Sequence, residues 1–226
     1  MLLPIKAVLS QDEVKQFRDH INPASWEDGK LSAGNQATIV KSNQQLDDSN
    51  ELTQSLSNNI LQRLHTHPTF VSATLPFKLF PPKFNRYQNG GSYGLHVDSS
   101  IMTTPTQETL RTDVSATLFL SNPDEYEGGE LMIETQYGAQ EVKLNAGDLI
   151  IYPSTTLHEV KPVIKGRRIC SILWVQSLIK DSHHREILFE LDQSIQTLTI
   201  DRGADDAEVR RLSGIYHNLV RQWTEC

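Results

Sequence analysis

Cysteine is nearly absent from this chain: Cys170 and Cys226 are the two among 226 residues. Cys170 lies in an apolar run and Cys226 at the terminus, so no disulfide framework is expected. A reducing, cytoplasmic setting fits that usage. Cationic side chains are also in short supply, 21 Lys and Arg against 28 Asp and Glu, for a net charge of −7. That balance disfavours broad binding to nucleic acid or to an anionic membrane. No hydrophobic run is long enough to span a bilayer, and the apolar start Met1–Ile5 is too short for a signal peptide. Internal repeats and low-complexity tracts are missing as well. The chain is nevertheless long enough to bury a sizeable core, as one large domain or as one domain with a small appendage.

What is present divides into three parts. Residues 1–76 read as a helical and mixed support region. Ser10-Gln11-Asp12-Glu13 has the form of a capping box and predicts a helix through Ile21. A strand is expected around Ala37–Lys41, and Leu52, Leu56, Ile60 and Leu64 mark the apolar face of a second helix. Residues 77–178 turn to β periodicity, with short apolar runs at Phe77–Tyr87, Val114–Leu120, Glu130–Glu134, Glu141–Leu144, Leu149–Tyr152 and Ile169–Gln176. Glycine turns punctuate them, the pattern of a sandwich or jelly roll. Residues 179–226 are helical again. One stripe runs through Ile187, Leu188, Leu191, Ile195 and Leu198, and another through Val209, Leu212, Ile215, Tyr216, Leu219 and Trp223. A cap at Asp205 or Asp206 separates them, and the pair is expected to pack on the β core, with a surface that joins two copies of the chain or a lid over the substrate as the alternatives.

The chemistry concentrates in four residues. His96 and Asp98 are two apart on an expected strand end, so they project to the same side. His158 follows 60 residues after Asp98, just beyond a buried strand and a Pro153-Ser154 turn. Two imidazoles and one carboxylate on one face of a metal leave the opposite face open, which suits non-haem Fe(II). Arg168 opens an apolar run that ends in Leu173-Trp174-Val175. An inward guanidinium there needs an anion, and its fork grips a carboxylate in two places. The distal carboxylate of a dicarboxylic acid would serve, and Arg167 should face the other way. Singly, each residue has a plainer role: a hydrogen-bonded histidine, an ion-pair partner, a strand aromatic at Tyr87. Joined at these spacings, they point to a metal site.

The stretch from Phe84-Asn85-Arg86-Tyr87 through Tyr93-Gly94-Leu95-His96-Val97-Asp98 resembles the metal-binding segment of prolyl-hydroxylase-like Fe(II)/2-oxoglutarate-dependent dioxygenases. Tyr152-Pro153-Ser154-Thr155-Thr156-Leu157-His158 and Gly166-Arg167-Arg168 match the same family. Length and the C-terminal extension resemble its bacterial PKHD-type hydroxylases. The resemblance implies a double-stranded β-helix core, with iron on His96, Asp98 and His158 and 2-oxoglutarate on Arg168 and Tyr87. It also implies L-ascorbate as a reductant, and O2 with a small-molecule or peptidyl substrate as partners. The activity implied is hydroxylation of a C–H bond with release of succinate and CO2. A jelly-roll metalloenzyme with other oxidative chemistry and a noncatalytic iron or 2-oxoglutarate sensor are the alternatives.

Other features receive lesser roles. His65 and His67 precede Pro68 and are expected to cap a helix end. His20, His183, His184 and His217 fall on helices. The segment 99–112 reads as a loop beside the site, either a lid or a surface loop. Asn122–Gly129 reads as a rim loop whose acids could meet a cationic substrate.

Overall fold

The computed structural model describes residues 1–32, 39–104 and 106–225, except for the side chains of residues 31 and 32. Cys226 and the first two residues of the strand expected over 37–41 lie outside them. The strands are β1 (Leu3–Ile5), β2 (Trp26–Asp28), β3 (Lys41–Ser42), β4 (Gln44–Leu46), β5 (Pro76–Leu79), β6 (Lys83–Tyr87), β7 (Ser92–His96), β8 (Ile101–Thr103) and β9 (Thr109–Arg111). They continue with β10 (Val114–Phe119), β11 (Tyr126–Gly128), β12 (Leu131–Thr135), β13 (Gly138–Val142), β14 (Leu149–Pro153), β15 (His158–Val160), β16 (Val163–Gly166) and β17 (Arg168–Ser177). The helices are α1 (Gln11–Ile21), α2 (Glu51–Thr66), α3 (Pro68–Thr74), α4 (Ser182–Arg202) and α5 (Ala207–Trp223).

Antiparallel sheets dominate. The larger has the order β1-β14-β10-β17-β6-β4-β2, with β5 beside the far half of β17. The smaller runs β13-β12-β15-β7-β3. The buried strands of the larger sheet read as near-continuous apolar runs because both faces are covered. One face meets α1 and α2 through Phe17, Ile21, Ile60 and Leu64, in a cluster that includes Leu118, Leu149 and Leu173. Between the sheets a second cluster gathers Tyr87, Phe119, Ile133, Tyr152 and Val163.

Local chemistry explains the helix ends. Ser10 accepts from the Glu13 amide while the Glu13 carboxylate accepts from the Ser10 amide, the reciprocal box that fixes the start of α1. Leu56, Ile60 and Leu64 bury the stripe of α2. His65 donates to the Leu61 carbonyl in the last turn of α2. His67 instead accepts from the Phe70 amide and caps the start of α3, a short helix with no apolar period of its own.

Several expectations change. Phe77–Tyr87 is two strands, because Pro81-Pro82 removes two ladder donors. Of the described residues in the strand expected over 37–41, only Lys41 is in a strand, as the first residue of β3. The segment 99–112 is a hairpin of β8 and β9, held down by buried Leu110 against Phe80 and Trp174. In Asn122–Gly129 the acids do not reach the pocket. Glu125 pairs with Arg18 and Glu127 with Lys165. On the C-terminal pair, Ile187 and Ile215 face outward, and Arg185, Leu188, Phe189 and Val209 are the buried positions. That pair docks through α3, where Ser72 donates to Asp192, and through Arg185, which donates to the Ile179 and Lys180 carbonyls just after β17. Asp206 is the α5 cap, accepting from the Glu208 and Val209 amides. No helix among the described residues is long and apolar enough to cross a membrane.

Candidate active site

The pocket opens between the two sheets, and each side chain in it is delivered by a strand register. His96 ends β7 and lies directly across from His158, which opens β15. The register between these strands slips before Val160 meets Tyr93. A bulge of this kind re-aims side chains beside a site. Strand β7 ends at His96, so Asp98 stands two residues past it in irregular chain. The alternation still carries through: Leu95 and Val97 are about half exposed, at 51% and 47%, while His96 and Asp98 turn inward.

One ligand atom each from His96, Asp98 and His158 lies within 4.8 Å of the others. The imidazole Nε2 atoms stand 3.9 Å (His96) and 3.8 Å (His158) from separate oxygens of Asp98. The Nδ1 of His96 donates to the Gly94 carbonyl at 2.7 Å, and that of His158 to the Thr156 carbonyl at 2.9 Å. These bonds fix the tautomer and leave both Nε2 lone pairs facing Asp98. Burial, with His158 alongside, pushes the His96 imidazole down to about 4, so it is neutral and able to ligate near pH 7.

Three residues that sequence reasoning passed over complete this corner. Ser115 on β10 donates to Asp98 Oδ2 at 2.5 Å and has Ser154 Oγ at 2.8 Å. Tyr93 stacks on His96 at 3.6 Å between ring centroids, and Tyr152 meets His158 edge-on at 5.0 Å. A signal existed for Ser115, one of two hydroxyl residues, with Thr117, inside the mostly apolar Val114–Phe119 run. The tyrosines gave none, since aromatics are common in strands.

Arg168 begins β17 opposite Tyr87 on β6. It is 1% exposed, whereas Arg167 faces solvent. Gly166 makes the turn before it at φ +77°, and a Cβ there would fall 2.0 Å from the Glu125 carbonyl oxygen. The guanidinium rests between the rings of Tyr87 and Phe119, each 5.2 Å away, and Nη1 donates to Cys170 Sγ at 3.0 Å. Nε and Nη2 meet no hydrogen-bond partner among the described residues. Leaving a buried charged donor unmet is costly, a cost that an anion entering the pocket would relieve. Burial pushes the Tyr87 phenol up, and it keeps its proton as a donor at the same place.

The donor set fits the implied groups. Two imidazoles and a carboxylate suit Fe(II), and a cation with two open donors suits the distal carboxylate of 2-oxoglutarate.

Comparison with known proteins agrees. Residues 82–176 match the 2OG-Fe(II) oxygenase superfamily model, and residues 182–225 match the PKHD-type hydroxylase C-terminal domain. A PKHD-type hydroxylase of Pseudoalteromonas atlantica is 54% identical over the full length of both chains. One from Teredinibacter turnerae is 53% identical, again over the full length of both. Among solved structures, a Pseudomonas putida prolyl-4-hydroxylase superposes with a TM-score of 0.54 at 18% identity, covering 78% of this chain and 92% of that one. The chain belongs to the PKHD-type hydroxylases of the 2OG-Fe(II) oxygenase superfamily and is an iron- and 2-oxoglutarate-dependent hydroxylase.

Proposed function

We propose that His96, Asp98 and His158 hold the iron and that Arg168, with Tyr87, holds the distal carboxylate of 2-oxoglutarate. The observation that carries this reading is one pocket lined by a convergent His-Asp-His cluster and a buried guanidinium with two open donors. Iron and 2-oxoglutarate, when bound, supply O2 activation coupled to release of succinate and CO2 and hydroxylation of a C–H bond. The chain's own residues do the rest. Gly94 and Thr156 carbonyls orient the imidazoles, Ser115 steadies the carboxylate, and the Tyr87 and Phe119 rings seat Arg168. The prime substrate is a small molecule or a peptidyl side chain.

The two sheets are read as a double-stranded β-helix over 77–178, braced by 1–76 and extended by the helical 179–226. Support comes from the antiparallel pairing, the pocket between the sheets and the likeness in fold to a prolyl-4-hydroxylase. A cytoplasmic setting is supported by the buried free thiol of Cys170. The outward Ile200 and Ile215 support association of copies through the C-terminal helices.

The test is an anaerobic titration of the metal-free protein with Fe(II) and then 2-oxoglutarate, followed in the visible spectrum. A metal-to-ligand charge-transfer band that needs both additions, and fails in His158→Ala and Arg168→Ala, is the expected result. A band that survives in either variant would remove that residue from its assigned role.

A further inference from the structure

The Arg168 end of the pocket holds more unmet hydrogen-bonding capacity than the guanidinium alone. Besides Nε and Nη2 of Arg168, the buried Tyr126 hydroxyl finds no partner among the described residues. Tyr126 is 4% exposed and opens β11 in register with Gly166, two residues before Arg168. It belongs to the cluster between the sheets that also holds Tyr87, Phe119 and Cys170. Gly129 lets tyrosine and arginine come together. A Cβ there would fall 3.1 Å from Tyr126 Cε2 and 3.2 Å from Arg168 Cδ, so the ring and the arginine stem flank one point. Lys143 seats the ring: its Nζ donates to the Tyr126 carbonyl at 2.9 Å and lies 4.2 Å from the ring centroid. Burial pushes the Tyr126 phenol up to about 12, against the pull of the nearby guanidinium. The hydroxyl therefore keeps its proton near pH 7 and is a donor.

The way the guanidinium is held points to the same ligand. Nη1 is taken by Cys170, whose thiol burial pushes up, so that it stays protonated and accepts through sulfur. Nε and Nη2 lie along one edge of a guanidinium, and their parallel N–H bonds match the two oxygens of a carboxylate. A carboxylate on that edge still has lone pairs to fill. An uncharged hydroxyl fills one of them without burying a further charge. In the empty pocket the same hydroxyl is a cost, and an arriving acceptor relieves it.

We propose that Tyr126 is a further co-substrate-binding residue, whose hydroxyl donates to the distal carboxylate of 2-oxoglutarate beside the Nε–Nη2 edge of Arg168. This step rests on the reading that Arg168 holds that carboxylate. It also makes the pocket selective. A 2-oxo acid of the same length that ends in a methyl group leaves the Tyr126 hydroxyl and both arginine donors unmet, so neutral chain ends are rejected.

The test is isothermal calorimetry on full-length wild type, Tyr126→Phe and Arg168→Ala. An Mn(II) isotherm is recorded on the metal-free protein, and a 2-oxoglutarate isotherm follows on the Mn(II)-loaded protein, which does not turn over. Thermal melts of each protein without ligand accompany them. In Tyr126→Phe the 2-oxoglutarate affinity is expected to fall about tenfold or more, the worth of a hydrogen bond to a charged group. Mn(II) affinity should stay within about threefold of wild type, as for an independent site. The ligand-free Tm should equal or exceed that of wild type, because phenylalanine removes a buried hydroxyl that nothing meets. This last readout separates binding from scaffolding, since a hydroxyl that braced Arg168 in the empty pocket would cost stability when lost. A lower Tm in Tyr126→Phe, or a matching loss of Mn(II) affinity, would overturn the proposal. So would wild-type affinity for 2-oxoglutarate in Tyr126→Phe while Arg168→Ala loses it. Wild-type affinity in Arg168→Ala is a different result, because it brings down the reading of Arg168 and this one with it.

Discussion

His96 couples the site to pH. Its imidazole is pushed down to about 4 by burial and by His158, whereas an unfolded histidine titrates near 6.5. Between those values the unfolded chain takes up a proton that the folded, metal-free chain refuses. Stability from this group is therefore complete above about pH 6.5 and falls as pH drops towards 4. Thermal melts of metal-free protein should show Tm decreasing from pH 6.5 to 5, with a shallower slope in His96→Leu. Superimposable slopes would contradict the assignment. Ser115 acts through Asp98, and loss of such a supporting hydrogen bond costs about 10–100-fold in metal affinity. Ser115→Ala should show that loss in a metal-competition titration while its far-ultraviolet circular dichroism stays unchanged. Removing Arg168 has the larger expected effect. Stripping one partner from a buried charge pair costs about 3–5 kcal/mol, more than a hundredfold in affinity, so Arg168→Ala should weaken 2-oxoglutarate far more than iron. Comparable affinities for 2-oxoglutarate in both proteins would place the anion elsewhere. At this scale the sequence was informative where chemistry is unusual. A charged residue at the head of an apolar strand announced Arg168, and the two-residue spacing announced His96 with Asp98. Tyr126 carried no such mark, since a tyrosine in an acidic stretch looks solvated until the fold encloses it.

Among the elements, the β8–β9 hairpin bears most directly on the pocket. Met102 reaches the pocket lining, and Leu110 pins the hairpin to Phe80 and Trp174. Truncating a buried leucine costs about 2–5 kcal/mol. Leu110→Ala should lower Tm accordingly and free the hairpin. Limited proteolysis, read by mass spectrometry, should then cut first within 101–111, and cleavage elsewhere would show that Leu110 is not the anchor. Why this segment looked like a loop is clear: two three-residue strands are too short to show a period of two. The same shortness hid β1, β2 and β4, whose pairing is bought by neighbours rather than by their own side chains. By contrast α1 and α2 were readable to within a residue or two, because capping and four-residue spacing are local.

The molecule as a whole should sense its ligands. A ligand that binds only the folded state at about a hundred times its Kd adds about 2.7 kcal/mol, which for a chain of this size is about 5–10 °C in Tm. Mn(II) with 2-oxoglutarate should produce such a rise in wild type, and Arg168→Ala should lose the part due to 2-oxoglutarate. A full rise in the variant would detach Arg168 from the co-substrate. The coupling is global because the site draws on both sheets: β7 and β15 bring the imidazoles, while β10, β6 and β17 bring Ser115, Tyr87 and Arg168. The C-terminal helices attach at the opposite end of β17, through α3 and Arg185.

The sequence by itself marked the first helices, the apolar strands and the His-Asp-His and arginine residues proposed here as the site. All of these are written in local spacing or in residue types that are costly to bury without a task. Tertiary structure decided the rest. Cross-strand register put His96 against His158 and Tyr87 against Arg168. The meeting of the two sheets turned Ser115, Tyr93 and Tyr152 from ordinary strand residues into the lining of one pocket. Those contacts join positions far apart in the chain, and no local period encodes them, because their energy arises only when the two sheets enclose the space between them.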